Sequence, residues 1–443
     1  MEHSFLQVGF GRESIMPGKP VPLGGGDATR RIYTYIKDEV FITCVALKEA
    51  QQTILLFTSD TLNSNENFST PAREFVSNAI GIPVEQILLS GTHTHAGVAI
   101  SVDSWDGVAQ YRQFFYEAAV RAAKTALADL AKADVYYGST ETERMTFVRH
   151  YRLADGSYAG PNFGDFKKAP VVGHATEADG QLQLVKFARE GKKDVLMMNF
   201  PAHGTFSSIQ DTYLSADFPS PTRAYIEANS DCLVAYFIAA AGNQTPNSQI
   251  DGESPYKKQY LEYGKALGQY TLAAMAHLTR LEDGHLKHAA KTVVCAPNKE
   301  KLHLLPYAQE VVDAGSQLGS LHPDVIALAR KNGFSSRFEA SAIINRAKLP
   351  DQMYMTLNVL TIGKLGFIFA PYEMFGAQGQ HIKKHAPCDM TFIVTCSGGA
   401  KGYLPDRFGF QIGCYESCTT RYTPGTAETL ADTFVDMLLE IGK

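Results

Sequence analysis

Short apolar runs alternate with helical patterns in the first part of the chain. Residues 40–47, 53–57 and 87–89 are runs of the kind that form buried strands. Thr70–Pro71 marks a helix start, because threonine caps a helix and proline fits its first turn, and residues 108–131 carry an apolar stripe at helical spacing. This alternation predicts an α/β fold with a layered, mixed β-sheet core and flanking helices.

The length and composition are typical of a large globular domain. The chain has 443 residues, of which 45% are hydrophobic and 20% are charged. We interpret residues 1–443 as a single catalytic domain, within which residues 282–350 form a more charged, helical insertion. Helices are expected in that insertion around residues 306–318 and 323–331.

Charge and targeting signals exclude several classes of partner. The net charge of −5 is spread over both signs without a basic stripe, so we expect no nucleic-acid partner. No apolar run is long enough to span a membrane, and the first residues lack the pattern of a secretion signal, so we expect a cytoplasmic protein with no integral membrane segment. The 7 cysteines include no C-x-x-C pair, which argues against a disulfide framework and against a structural zinc site.

Two histidines follow the third apolar run, at the point where the chain leaves the sheet. His93 and His95 are separated only by Thr94. On an extended backbone, residues i and i+2 project to the same side, so both imidazoles can reach one point. Two convergent imidazoles can bind zinc or iron; the alternative is that one histidine packs and the other faces solvent. The position at a strand end favours the metal site.

Two later strands present metal-binding side chains in the same way. The apolar run 195–200 leads directly into the loop of His203. A hairpin around Gly363–Lys364 leads to Glu373 at the head of a helix, where the helix dipole alone would also favour a carboxylate. His203 and Glu373 are therefore further candidate ligands. Asp217 is either a residue that orients a ligand histidine or an ordinary turn residue.

Five polar motifs lie at strand ends in a fixed order. They are Gly-Thr-His-Thr-His-Ala-Gly at 91–97, Ala-His-Gly-Thr at 202–205, Gly-Asn-Gln-Thr-Pro-Asn at 242–247, Pro-Tyr-Glu-Met-Phe at 371–375, and Gly-Tyr-Leu-Pro at 402–405 followed by Tyr-Glu at 415–416. Over nearly its whole length the chain resembles the catalytic domain of the neutral ceramidase family, the neutral/alkaline non-lysosomal ceramidases. The resemblance implies a zinc-dependent hydrolase of linear amides that acts in lipid and sphingolipid metabolism.

The resemblance also implies roles for individual residues. The zinc ligands would be His93, His203, Glu373 and Tyr403. The residues that stabilise the oxyanion would be His95 and Arg149, and Tyr415 would be a further site tyrosine.

The chain departs from the family pattern in places that bear on the substrate. Where the family has the motif Gly-Asp-x-Ser-Pro-Asn, this chain has Asn243 in place of the aspartate and Thr245 in place of the serine. We also expect the chain to lack the immunoglobulin-like domain that follows the family's catalytic domain. The substrate is therefore expected to be a small N-acyl compound that can differ from ceramide.

The expected reaction is cleavage of an N-acyl bond by a zinc-bound hydroxide. Three protein ligands and a weak tyrosinate leave zinc room for water, whose pKa zinc can lower to about 7. Either His95 or a tyrosine would protonate the leaving nitrogen. Thr245 as a covalent nucleophile is disfavoured, because no base lies near it in the sequence. A metal-dependent esterase or phosphoesterase and a non-catalytic metal-binding protein of the same fold are the alternatives.

Overall fold

The computed structural model describes residues 5–25 and 31–442. Residues 1–4, on which part of the prediction about secretion signals rests, lie outside the described residues. In the described ranges the strands β1 to β22 are, in chain order, Gln7–Ser14, Tyr35–Ile36, Phe41–Glu49, Gln52–Ser59, Ile87–Gly91, Ala131–Glu141, Phe147–Val148, Tyr151–Leu153, Tyr158–Ala159, Val171–His174, Gln181–Arg189, Asp194–Phe200, Tyr213–Leu214, Cys232–Ile238, Gln244–Thr245, Thr279–Arg280, Leu286–Cys295, Met353–Ile362, Leu365–Phe369, Glu373–Met374, Met390–Val394 and Tyr403–Leu404.

Helices flank these strands. In the same ranges α1 to α11 are Glu66–Ile80, Val108–Ala128, Pro219–Asn229, Tyr260–Met275, Leu305–Leu318, Pro323–Lys331, Arg337–Arg346, Gly376–His385, Arg407–Gln411, Tyr415–Thr419 and Thr426–Gly442. The mixture of sheets and helices confirms the predicted α/β class.

The larger sheet contains nine of the described strands in the order β14-β12-β11-β6-β1-β3-β4-β5, with β16 paired to β6. Most neighbours are antiparallel, whereas β4–β5 and β12–β14 are parallel, so the sheet is mixed as predicted. The sheet curls, and the carboxyl ends of β4 and β14 meet where Thr58 Oγ1 donates to the carbonyl oxygen of Tyr236 at 2.6 Å. The loops that leave β5 and β12 are thereby brought close together.

The smaller sheet, β17-β18-β19-β21, packs against the inner face of the larger one. Val8 and Phe237 of the larger sheet share one core cluster with Phe367 and Phe392 of the smaller sheet. Helices α1 to α4 cover the outer face of the larger sheet, and α8 and α11 cover the far side of the smaller one. Layered packing of this kind buries both faces of the sheets.

Helix α2 lies unusually close to β1 because two strand residues have no side chain. A Cβ atom on Gly9 would lie 1.9 Å from the carbonyl oxygen of Ala126, and one on Gly11 would lie 2.1 Å from that of Ala122. Glycine is therefore required at both positions by the approach of helix backbone to strand backbone.

Two predictions about elements need correction. Helix α1 begins at Glu66 and contains Pro71, so Thr70–Pro71 does not mark its start. Residues 282–350 contain the expected helices α5 and α6, but they also contain strand β17, which pairs along its whole length with β18. This strand has little apolar alternation because many of its side chains are exposed, and it is held by backbone hydrogen bonds.

None of the described helices combines the length and the hydrophobicity that crossing a lipid bilayer requires.

Candidate metal centre

His93 and His95 converge, although the backbone between them is not extended. His93 has φ 67°, in the left-handed region, whereas the prediction assumed a strand-like alternation. The two rings still lie 5.0 Å apart between centroids, in an edge-to-face arrangement. A non-glycine residue in this region carries a conformational cost, and such residues concentrate at functional sites.

The His93 and His203 loops are joined by backbone contacts. Thr94 and Gly204 form a parallel bridge, and the backbone N–H of His95 donates to the carbonyl oxygen of Gly204 at 3.0 Å. A Cβ atom on Gly204 would lie 2.7 Å from the carbonyl oxygen of His93, so glycine permits this approach. The ring centroids of His93 and His203 are consequently only 4.5 Å apart.

Hydrogen bonds at Nδ1 fix the orientation of both rings. His93 Nδ1 lies 2.7 Å from the carbonyl oxygen of Leu62, and His203 Nδ1 lies 2.6 Å from that of Ala241. A carbonyl oxygen only accepts, so each Nδ1 carries a proton and each Nε2 is the nitrogen that can bind a metal in the neutral ring. This is the arrangement in which an outer hydrogen bond prepares a histidine for a metal.

Glu373 lies in a short strand rather than at the head of a helix. Strand β20 contains Glu373 and pairs in parallel with β22, so that Glu373 is directly opposite Tyr403. Helix α8 begins only at Gly376, after the chain has turned away. The prediction of a helix-start position was therefore wrong, and the helix dipole does not account for this carboxylate.

Potential ligand atoms of four residues converge on one point. One ring nitrogen from each of His93, His95 and His203 lies within 4.8 Å of the other two. Glu373 Oε2 lies 3.3 Å from His93 Nε2 and 3.4 Å from His203 Nε2. Tetrahedral zinc with bonds of 2.0–2.1 Å separates neighbouring ligand atoms by about 3.4 Å. The two measured distances match that spacing.

Several of these atoms are buried and make no hydrogen bond among the described residues. His93 Nε2, His95 Nε2 and Glu373 Oε2 are inaccessible to solvent and make no hydrogen bond within the described part of the chain. Buried polar atoms are normally satisfied, and each orphan calls for a ligand or an unusual role. Two imidazoles and a carboxylate are also the donor types that zinc takes in hydrolytic sites. The residues present therefore fit a zinc ion.

Burial and charge set the protonation of the site. Burial, together with the positive charge of Arg149, lowers the pKa of His203 to about 4. Burial and the two neighbouring imidazoles hold the pKa of His95 well below its usual value. Although burial opposes ionisation, the imidazoles of His93 and His203 hold the pKa of Glu373 well below its usual range. Although burial opposes it, Cys396 and Glu373 raise the pKa of His93 well above its usual value. Without a metal at neutral pH, the site therefore contains a carboxylate at Glu373, an imidazolium at His93, and neutral imidazoles at His95 and His203.

Arg149 reaches the edge of this centre. Its Nη1 atom lies 3.4 Å from His203 Nε2, and its guanidinium carbon lies 5.5 Å from the centre of the Tyr403 ring. Its Nη2 atom donates to the carbonyl oxygen of Gly242 at 2.9 Å. A permanent positive charge thus faces the side of the centre that contains Tyr403 and His203.

The two predicted site tyrosines are neighbours. Tyr403 and Tyr415 have ring centroids 5.8 Å apart, in an edge-to-face arrangement. Burial and the negative charge of Glu373 raise the pKa of Tyr403 well above its usual value. The Tyr403 phenol is therefore neutral at physiological pH unless a cation stabilises its ionised form.

Asp217 does not contact a histidine ring. Its Oδ2 atom accepts from the backbone N–H groups of Phe206 at 3.0 Å and Ser207 at 3.3 Å, in the loop that follows His203. Burial raises its pKa to about 6. It therefore shapes the loop backbone, and its predicted role in orienting a ligand ring has no geometric support.

The two substituted motif residues have structural contacts. Asn243 Oδ1 accepts from the backbone N–H of Gly376 at 2.9 Å, which ties its loop to the start of α8. Thr245 Oγ1 lies 3.3 Å from Thr205 Oγ1. This hydroxyl contact provides no base, which agrees with the prediction that disfavoured Thr245 as a nucleophile.

Two buried ion pairs beside the site were missed by sequence reasoning. Asp60 accepts from Arg223 at 2.9 and 2.7 Å and from Thr92 Oγ1 at 3.2 Å, immediately before His93. Glu416 accepts from Arg149 at 2.8 and 2.5 Å. The sequence shows that Asp60 follows a strand and that Glu416 adjoins a motif tyrosine. It does not show which arginine pairs with each carboxylate, because the partners are far apart along the chain.

Comparisons with known proteins bear on the fold. A crystal structure of neutral ceramidase from Pseudomonas aeruginosa is similar with a TM-score of 0.72 and 16% identity, over 100% of this chain and 75% of that chain. A structure of ceramidase complexed with C2 is similar with a TM-score of 0.70 and 16% identity, over 98% of this chain and 75% of that chain. No family model and no curated protein matches the sequence. The chain therefore shares the fold of these ceramidases.

Proposed function

We propose that the chain is a zinc-dependent hydrolase of linear N-acyl bonds, related to the neutral ceramidases. The observation that carries this proposal is the convergence of buried ring nitrogens from His93 and His95 with Oε2 of Glu373, none of which makes a hydrogen bond within the described part of the chain. Burying these polar atoms without hydrogen bonds carries a free-energy cost, which a bound cation would offset. The shared fold with solved ceramidases supports the substrate class.

The residues that would hold the ion are His93, His203 and Glu373, with Tyr403 as a weaker fourth ligand. Glu373 and Tyr403 lie opposite each other in one short ladder, which supports their acting together. When bound, zinc polarises a carbonyl group and lowers the pKa of water that it contacts to about 7. Three firm ligands would leave room for that water.

His95 and Arg149 would serve the reacting groups. His95 Nε2 is buried and unpartnered, so it can hold a proton or a hydrogen bond to a substrate oxygen or nitrogen. Arg149 Nη1 faces the same space and can donate to an oxygen that gains negative charge. One preorganised donor of this kind is worth roughly 3 kcal/mol in transition-state stabilisation. Tyr415 would extend the wall beside Tyr403.

The proposed substrate is a small N-acyl amine, with ceramide as one member of the class. Asn243 and Thr245 differ from the family motif, which supports a substrate that differs from ceramide in its amine part. The proposed ligands come from both main sheets, since His93 and His203 follow strands of the larger sheet and Glu373 follows β19 of the smaller one. This shared origin supports our interpretation of residues 1–443 as one catalytic domain.

The test measures metal content and turnover together. Purified protein is analysed for bound metals and assayed on ceramide, N-acyl amino acids, simple N-acyl amines, acyl esters and phosphate esters. We expect zinc and release of the amine from at least one N-acyl compound, with activity lost on chelation and restored by zinc. Zinc without turnover on any compound would favour a metal-binding protein, and turnover of phosphate esters alone would replace the amidase proposal with a phosphoesterase.

A further inference from the structure

Glu416 is a fully buried carboxylate, and in the described part of the chain its oxygens are hydrogen-bonded to the side chains of Arg149 and His150. Its relative exposure is 0%, and Oε1 accepts from Arg149 Nε at 2.8 Å and from Arg149 Nη2 at 2.5 Å. Its other oxygen, Oε2, lies 2.8 Å from His150 Nε2. Buried carboxylates are stable only when their oxygens are satisfied, and here both oxygens have donors.

This pairing leaves one part of the Arg149 side chain for the metal centre. The Nε and Nη2 edge is held by Glu416, and Nη2 also donates to the carbonyl oxygen of Gly242 at 2.9 Å. Nη1 is turned the other way, toward His203 Nε2 at 3.4 Å. The planar guanidinium cannot rotate without breaking these hydrogen bonds, so the direction of Nη1 is fixed by Glu416.

His150 holds the second oxygen of Glu416 and is itself immobilised by packing. Its ring lies 5.5 Å from that of Phe163 and 5.7 Å from that of Phe375, and its exposure is 2%. Cys414 also lies close enough for His150, Cys414 and Glu416 to resemble a second metal cluster. The hydrogen-bonded geometry argues against a metal there, because Glu416 already has a donor on each oxygen and His150 Nε2 is used by one of them.

Glu416 also balances the buried positive charge of Arg149 close to the candidate ligand carboxylate. Without it, the buried charge of Arg149 would need another anion, and Glu373 is a carboxylate of the same centre. A buried arginine left without its partner carries a large free-energy cost, so pairing with Glu373 would be favoured. That rearrangement would remove a ligand from the proposed ion.

We propose that Glu416 and His150 are positioning residues, which hold Arg149 so that Nη1 faces the substrate side of the metal centre. The proposal rests on the proposed function for the identity of the substrate oxygen. Whatever the substrate, Glu416 acts on the centre through Arg149, and His150 acts through Glu416.

The test uses carboxylate binding, which does not depend on turnover. Cobalt-loaded protein is titrated with octanoate while the visible spectrum of the metal is followed, and kcat and KM are measured on an N-octanoyl amine. Glu416→Ala and Arg149→Ala are each expected to weaken octanoate binding by about tenfold or more. Glu416→Gln should have a smaller effect, since its amide can still accept from Arg149 and donate to His150.

The decisive comparison is the double variant. If Glu416 acts through Arg149, Arg149→Ala with Glu416→Ala binds octanoate no more weakly than Arg149→Ala alone. His150→Phe keeps the ring packing and removes the donor, and we expect it to reproduce part of the Glu416→Ala effect. These isosteric variants keep the test informative if Glu416→Ala fails to fold.

Glu339 provides a matched control. It is equally buried, pairs with Lys301 at 2.6 Å, and lies in the first turn of α7, where its backbone N–H donates to the capping side chain of Ser336. Glu339→Gln should lower the melting temperature and leave octanoate affinity and kcat unchanged.

Two results would overturn the positioning role. One is an Arg149 and Glu416 double variant whose losses multiply, and the other is a folded Glu416→Gln or Glu416→Ala protein with wild-type octanoate affinity. If octanoate affinity changes across the variants as expected but the wild-type protein cleaves no N-acyl compound, the proposed function is refuted and the positioning role is still supported.

Discussion

Glu373 and Tyr403 are direct partners in a two-residue parallel ladder between β20 and β22. The pairing holds the two residues side by side next to the smaller sheet, although they come from separate loops. A carboxylate and a phenol are thereby brought together. His93 and His203 approach the same carboxylate from the larger sheet, at 3.3 and 3.4 Å. The candidate centre therefore depends on how the two sheets pack.

Replacing the histidines one at a time should separate ligands from catalytic groups. His93→Ala and His203→Ala are each expected to lose bound zinc, because each removes a ring nitrogen that lies within ligand spacing of Glu373. His95→Ala is expected to keep the metal and to lose at least about a hundredfold in rate. Metal analysis after gel filtration gives the readout. An empty site in His95→Ala would mean that His95 is a ligand.

Glu373→Gln is expected to weaken zinc binding without unfolding the protein. The amide keeps the shape of the side chain and removes the negative charge. Mutation of the outer partners of metal ligands costs about 10- to 100-fold in affinity, so loss of a ligand's charge should cost at least as much, or about 1.4–2.7 kcal/mol and more. Competition with a chelator measures the affinity, and circular dichroism checks the fold. Unchanged zinc affinity would argue against a ligand role for Glu373.

Acidification should destabilise the metal-free protein through His203. Its folded pKa is lowered to about 4, first by burial and then by Arg149, whereas an unfolded histidine titrates near 6.5. The neutral form is favoured by folding, so its contribution is complete above pH 6.5 and is lost as the pH falls toward 4, by up to about 3 kcal/mol. Urea unfolding in chelator across this range should show a shallower pH dependence for His203→Gln than for wild type. Equal slopes would show that His203 is not held neutral by the fold.

Gly242→Ala should disturb the centre through the backbone. A Cβ atom there would lie 2.8 Å from the carbonyl oxygens of both Glu373 and Met374, and backbone atoms cannot move aside cheaply. We expect a loss of about 1–3 kcal/mol in stability together with weaker zinc binding. Gly18→Ala is the control, since nothing lies within 4 Å of its added atom. Equal effects of the two substitutions would show that the close approach at Gly242 is unimportant.

The sequence predicted the side chains at strand ends better than the geometry that joins them. His93 and His203 could be found because each follows a short apolar run, and that pattern depends only on local residues. The left-handed turn at His93 could not be predicted, because it is stabilised by contacts with the His203 loop. Glu373 was placed at a helix start for the same reason, since its partner Tyr403 lies in a different loop.

Ion pairs show the same limit more clearly. Arg149 was identified from the family resemblance. A buried arginine needs a carboxylate partner, and the sequence does not indicate which carboxylate this is. The partner is Glu416, which lies near the other end of the chain and directly follows the predicted site residue Tyr415. Pro71 shows that local signals can also mislead, because α1 starts at Glu66 and contains the proline in its interior.

The most direct test of the metal centre is anomalous diffraction at the zinc edge from crystals of zinc-loaded protein. We expect one strong peak about 2.0–2.2 Å from His93 Nε2, His203 Nε2 and an oxygen of Glu373. A peak bonded to His95 in place of Glu373, a peak at the His150 and Cys414 cluster, or the absence of any peak in fully loaded crystals would contradict this expectation.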